Sequence, residues 1–230
     1  MTNNIKNFIQ ETAFNNQRNR SQYNIFGNID LFIVNPLSKN INILNVIDQV
    51  EAIVPKHIAS KVDGFYIGDF QEFRERDVNA MYKDGSIYIS NHQDDDADMV
   101  DDIIHELAHA AENLFSREIY EDGKIQKEFL GKRTRLKNSL KEYGYIKDLS
   151  LPFHKVEYNA DLDNYLYKQL GYDKLETFCM GLFIRPYAVT SLREYFATAF
   201  EEYLLGDTQY VQRISPMAYE KISLVCSGEV

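Results

Sequence analysis

The segment Asp101-Asp102-Ile103-Ile104-His105-Glu106-Leu107-Ala108-His109-Ala110-Ala111-Glu112 carries the side chains best suited to chemistry. On a helix, imidazoles four residues apart leave one face about one turn from each other, so both can reach a single metal ion. The Glu between them lies to the side, where it can take a proton from a polarised water. His105-Glu106-x-x-His109 therefore predicts one Zn²⁺ per chain, with the histidines as ligands and Glu106 as general base. At about 100° per residue, Asp98, Asp101, Asp102, His105, His109 and Glu112 share a stripe, and Val100, Ile103, Leu107, Ala111 and Leu114 gather opposite. The expected helix is anchored by its apolar side and turns the histidines to a cleft lined with carboxylates. Asp94-Asp95-Asp96 and Asp98 suit its N-terminus, where acidic side chains cap free N–H groups and oppose the macrodipole. Asp101 or Asp102 is placed to orient His105 from one turn back. The Gly and terminal Glu of a calcium-binding EF-hand loop are missing.

A catalytic zinc site takes three protein ligands and leaves a position for water. The third must come from elsewhere in the chain, and two downstream carboxylates compete for the role. Glu157 stands four residues before Asp161, with His154 nearby. Glu194 begins a segment with helical apolar spacing, but Ser191-x-x-Glu194 also reads as a capping box, in which the carboxylate folds back on the cap.

The combination of His105-Glu106-Leu-Ala-His109 with Tyr187-x₆-Glu194-Tyr-Phe-Ala-Thr-Ala-Phe200 resembles the catalytic domain of anthrax lethal factor and its relatives, including the Pro-Pro endopeptidases. These are zinc metallopeptidases of the gluzincin kind. The resemblance implies a zincin-like metalloprotease fold, Glu194 as third zinc ligand, and Tyr187, seven residues earlier, as a catalytic tyrosine assisting at the substrate carbonyl. It covers the two motif-bearing helices and the tyrosine between them, and the hairpin before them suits it. The chain departs from the pattern in a longer interval from His109 to Glu194, which points to an insertion at about 117–180, and in Thr198, where lethal factor carries a second Glu.

The elements that would position these residues are legible in outline. Ile29–Val34 and Gly64–Gly68 read as strands, and Asn42–Val54 as a helix stopped by Pro55. Asp84-Gly85 separates two β-prone runs, 80–83 and 86–90, a strong hairpin signal. Helical spacing then covers about 98–117, 156–170 and 191–205. The expected fold class is α+β, with a small mixed sheet and an edge strand in the first half, a mainly helical second half, and the active-site helix between. The strand Ser86–Ser90 is the expected edge, to which an extended peptide can add. Residues 1–28, rich in Asn and Gln, read as a loosely packed arm before a single domain over 29–230. Lys132, Arg133, Arg135 and Lys137 read as a solvated helical face, with an acidic-partner patch as the second reading.

Composition narrows the partners. The 230 residues carry 25 Lys+Arg against 35 Asp+Glu, a net charge of -10, which excludes a general nucleic-acid binder because phosphate neutralisation needs a basic surface. No apolar run approaches the roughly 20 residues needed to span a bilayer, so membrane insertion is not expected. The N-terminus lacks the features of a signal peptide. Action in the cytoplasm, or delivery by a leaderless route or as a processed form, is the expectation. Cys179 and Cys226 lack CxxC spacing and read as partly buried free thiols. A chain of this length folds without needing a metal for stability, which assigns any metal a chemical role. The sequence thus points to a metalloendopeptidase acting on protein or peptide substrates. The alternative is a zinc-binding but catalytically silent module, serving as a binding or structural component of a toxin or phage particle. A deformylase lacks support, since no accompanying Cys ligand motif is present.

Overall fold

A computed structural model describes residues 21–76, 78–146 and 150–229. Residues 1–20, most of the expected arm, lie outside the described residues. The chain divides into two compact units, Met1–Ala110 and Ala111–Val230. The division falls inside one continuous helix, so that helix contributes residues to both.

The first unit holds a mixed five-stranded sheet in the order β1-β2-β3-β5-β4, with β1 Ser21–Ile25, β2 Ile29–Ile33, β3 Gly64–Gly68, β4 Ala80–Lys83 and β5 Ser86–Ser90. β1 and β2 form an antiparallel hairpin, β2, β3 and β5 are parallel neighbours, and β4 runs antiparallel to β5. One face is a wall of fully buried side chains, with Leu31, Phe65 and Ile87 in register across three strands and Ile67 beside Ile89. The opposite face carries a ladder of rings, in which Phe32 stacks on Tyr66 at 5.4 Å and Tyr66 on Tyr88 at 5.3 Å. Helix α1, Ile43–Ile53, crosses between β2 and β3 and buries Ile43, Val46, Ile47 and Val50, one side of a 3.6-residue repeat. A short helix α2, Gln71–Arg76, precedes the β4–β5 hairpin. At that turn Asp84 and Gly85 both take positive φ, 50° and 81°, as a two-residue hairpin requires.

Two expectations change here. Ser21–Ile25 belongs to the sheet rather than to a loose arm, its alternation of Tyr23 and Ile25 with exposed Gln22 and Asn24 being short and masked by Asn-rich composition. Ser86–Ser90 is not an edge: β5 lies between β3 and β4, and among the described residues the sheet ends at β1 on one side and β4 on the other.

The helix shared by both units is α3, Asp96–Leu114. The second unit continues with α4, Ser116–Tyr120, and α5, Lys124–Glu142. Helix α6, Ala160–Asn164, runs into a π-helical stretch, Tyr165–Gly171, and then α7, Tyr172–Cys179. A 3₁₀ turn at Pro186–Val189 leads to α8, Leu192–Leu205, followed by α9, Thr208–Ile214, and α10, Pro216–Ser227. Its core joins Phe129, Leu136 and Leu140 of α5 to Tyr195, Phe196 and Phe200 of α8 and Ile222 and Val225 of α10, all fully or almost fully buried. No described helix is long and apolar enough to cross a membrane. Cys179 is buried and Cys226 half-buried, and both are free thiols.

The basic stretch corrects a third expectation. Arg135 is exposed, but Lys132 and Arg133 are buried on the core side of α5. Lys132 sends its Nζ to the carbonyls of Leu182 (2.6 Å) and Ile214 (2.5 Å) and to the Ser215 hydroxyl (3.3 Å), using three donors on three acceptors. Its ammonium also faces the rings of Phe183 and Tyr195. Burial pushes its pKa down to about 8, with the nearby Glu128 charge opposing the shift. Because the folded value lies below the ordinary one of 10.5, the cost of burying this charge is complete below pH 8 and is relieved as pH rises towards 10.5. Parent stability relative to Lys132→Met should therefore climb by about 1 kcal/mol per pH unit above pH 8. Urea unfolding of both proteins at pH 7, 8, 9 and 10 measures it, and a constant difference would remove the effect assigned to Lys132.

Candidate metal centre

Helix α3 starts on the acidic run as expected. Asp95 Oδ1 accepts the N–H groups of Ala97 (2.8 Å) and Asp98 (3.1 Å), a cap of the first turn. Asp96 instead reaches α1, accepting from Asn42 N–H and Asn45 Nδ2, each at 2.7 Å. Asp102 Oδ2 accepts from Gln93 Nε2 at 2.7 Å, which ties the helix to the segment leaving β5.

Further along, α3 departs from the simple two-faced helix. Ile103, Ile104, Leu107, Ala108 and Ala111 are fully buried, but so, nearly, are Glu106, His109 and Glu112, while His105 is half-buried. The stripe read as a cleft wall is thus enclosed only at His109 and Glu112, with Asp101, Asp102 and His105 half-buried and Asp98 exposed, and the buried polar groups must be satisfied by the protein. The His105 and His109 rings stand 5.2 Å apart at 82°. Glu106 turns towards the sheet, where its Oε2 accepts the backbone N–H of Tyr82 at 2.5 Å. The origin of that donor is clear from the ladder. Ser90 N–H bonds to the Asn79 carbonyl at 2.7 Å, so odd-numbered residues of this strand bond inward to β5, and the N–H groups of Ala80 and Tyr82 point from its open side.

Glu194 is placed by contacts within the second unit. The Ser191 hydroxyl accepts the Glu194 N–H at 3.1 Å, which forms the backbone half of the capping box and starts α8. Next to it, Arg193 Nε donates to Glu112 Oε2 at 2.8 Å. Glu112 lies three residues after His109 on the same helix, and this ion pair joins it to the first turn of α8. His105, His109 and Glu194 each offer one ligand atom, and these atoms lie within 4.8 Å of one another. A Glu194 carboxylate oxygen is thus part of the same group as the two imidazoles. Glu157, the competing carboxylate, is exposed and stands outside this group, as does His154.

Tyr187 lies on the 3₁₀ turn Pro186–Val189 and is 44% exposed. That turn is held from beneath by two side chains that the sequence did not single out for the task. The wholly buried Arg133 donates through Nε to Val189 O (2.8 Å), through Nη2 to Thr190 O (2.8 Å) and through Nη1 to Lys155 O. Tyr167 donates to Pro186 O at 3.1 Å and meets the Thr190 hydroxyl at 3.1 Å. Leu192 N–H bonds to Val156 O at 2.7 Å, which joins the start of α8 to the same loop. Arg133 and Tyr167 thus hold the turn together, and the planar fork of the guanidinium serves several carbonyls at once.

Tyr120, Glu112 and Arg193 were also missed as a set. Glu112 appeared on the polar stripe with no role, and nothing in the sequence spacing pairs it with a residue 81 positions away. No family model, curated protein or solved structure matches this chain.

Arg133→Met keeps much of the volume and the stacking on Phe129 but strands three backbone carbonyls. It should cost about 3 kcal/mol and speed hydrogen exchange at the Thr190 amide, with Arg133→Lys recovering only part because one ammonium cannot reach all three acceptors. Urea unfolding and exchange of the Thr190 amide test this, and unchanged stability with unchanged exchange would refute the clamp.

Proposed function

We propose that this chain is a zinc-dependent endopeptidase of zincin-like fold, as its resemblance to lethal factor-type gluzincins implies. The observation that carries the proposal is the convergence of one ligand atom each from His105, His109 and Glu194 within 4.8 Å. Two imidazole nitrogens and a carboxylate oxygen are a donor set suited to Zn²⁺ with a fourth position for water. An ion about 2 Å from each of three tetrahedral ligands needs them roughly 3.3 Å apart, within reach of small side-chain rotations from this arrangement.

When bound, zinc supplies Lewis acidity and lowers the pKa of water at the open position to about 7. The remaining work falls to the chain. Glu106 accepts the proton of the attacking water and returns it to the leaving nitrogen, with its carboxylate oriented by the Tyr82 N–H. Tyr187, half-exposed on the turn that Arg133 secures, is the proposed donor to the oxyanion that develops on the substrate carbonyl. The substrate is an extended peptide segment. β4 ends the sheet among the described residues, and its outward backbone groups at Ala80 and Tyr82 lie on the side from which Glu106 is reached. An extended main chain lying along that side, with the Tyr82 N–H left to Glu106, would present its carbonyls next to the base. The net charge of -10 is consistent with a protein or peptide partner and not a nucleic acid.

Metal analysis of the purified chain should give one zinc per molecule. His105→Ala and Glu194→Ala should lose it, whereas Glu157→Ala should keep it. Glu106→Gln should retain zinc and fold while peptide-library cleavage falls by at least about a hundredfold. Zinc retained by Glu194→Ala but lost from Glu157→Ala would overturn the ligand choice. Stoichiometric zinc with no cleavage of any peptide by the parent would replace the enzyme with the catalytically silent binding module.

A further inference from the structure

Arg193 sits in the first turn of α8, where the helix dipole disfavours a cation, and its side chain is 60% exposed. An arginine so placed has reason to be there only if something specific receives it. The receiver is Glu112, whose carboxylate is enclosed and whose two oxygens are taken by separate donors: Oε2 by Arg193 Nε at 2.8 Å and Oε1 by the Tyr120 hydroxyl. Tyr120 comes from α4, so three helices meet at one carboxylate. Burial, and then the Glu112 charge, push the Tyr120 phenol well above its ordinary pKa, which keeps it a proton donor at every working pH. Both oxygens of the carboxylate are thus engaged, one by each donor.

The covalent neighbours give this network its meaning. Glu112 follows His109 by three residues on α3, and Arg193 is bonded directly to Glu194. The ion pair therefore sets the distance between the backbone that presents a histidine ligand and the backbone that presents the carboxylate ligand. Resting on the metal-centre reading above, we infer that Glu112, Arg193 and Tyr120 form a positioning network that sets the metal affinity of the His105–His109–Glu194 group. They touch neither metal nor substrate, and they act through the two ligands they hold. Groups that orient metal ligands typically change affinity by about 10–100-fold when removed.

The test measures zinc affinity of the full chain by competition with a chromophoric chelator, for the parent, Arg193→Ala, Arg193→Lys, Glu112→Gln and Tyr120→Phe. Thermal midpoints of the zinc-stripped proteins and visible spectra of their cobalt-loaded forms accompany it. The expected result is about 10–100-fold weaker zinc binding for Arg193→Ala, partial rescue by Arg193→Lys, and a cobalt spectrum altered in band position. Tyr120→Phe, which removes one oxygen, should weaken zinc binding less than Arg193→Ala without unfolding the chain. Parent-like affinity in Arg193→Ala, or in Arg193→Lys and Tyr120→Phe together if Arg193→Ala does not fold, would overturn the inference while leaving the metal centre standing. An affinity loss matched by an equal loss of folded protein, with an unchanged cobalt spectrum in the folded fraction, would also overturn it. A parent that binds no zinc would overturn the metal centre itself and the network's role with it.

Discussion

The constraint on which this structure turns is that α3 is enclosed along most of its length and yet carries two imidazoles and two carboxylates there. A buried carboxylate without donors is costly enough that the fold must supply them. Glu106 and Glu112 are answered from different directions, one by a backbone N–H of the sheet edge and the other by an arginine and a tyrosine of the second unit. Each answer fixes something else. The Tyr82 contact ties α3 to the sheet edge, and the Arg193 contact ties its last turn to the first turn of α8. Glu194 stands between the Ser191 cap that binds its N–H and the Arg193 that answers Glu112.

The parts of this arrangement that are local in sequence were legible, and the parts that depend on tertiary pairing were not. β3 at Gly64–Gly68, the Asp84-Gly85 hairpin, α1 and α8 follow from period and punctuation to within a residue or two. The two histidines and Glu106 follow from helix geometry alone. Choosing Glu194 over Glu157 needs the resemblance, because both read as carboxylates on downstream helical segments and the capping box at Ser191 counts against Glu194; in the structure Glu157 stands in a bend before α6. The cap takes the Glu194 backbone N–H, and a carboxylate oxygen of the same residue lies within 4.8 Å of a nitrogen of each histidine. Strand β1 was hidden because Gln22 and Asn24 belong on its exposed side, and a polar strand at a sheet margin has little apolar signal to give.

The basic stretch shows how charge misleads when read without its partners. Lys and Arg are normally assigned to solvent, and Arg135 obeys. Lys132 and Arg133 do not, since backbone carbonyls that the helical second unit cannot pair internally are available to them. Their long stems pack with the rings of Phe129, Phe183 and Tyr195 while their heads close the ends of neighbouring segments. Such residues look like surface in composition and behave like mortar in the fold. The same chemistry underlies the short loop between Tyr187 and Glu194, which would otherwise carry carbonyls with nowhere to go.

The open side of β4 has a further consequence, in the behaviour of many molecules together. An unprotected strand margin invites pairing with the same strand of another copy, and proteins blunt such margins with short strands and with charge. β4 is four residues long, ends on the exposed Lys83, and has the Tyr82 donor already occupied by the Glu106 carboxylate. A second copy approaching edge to edge would have to displace that carboxylate and leave a buried charge without its donor. The Glu106 carboxylate, by holding the Tyr82 N–H, therefore also guards this margin of the sheet against self-association.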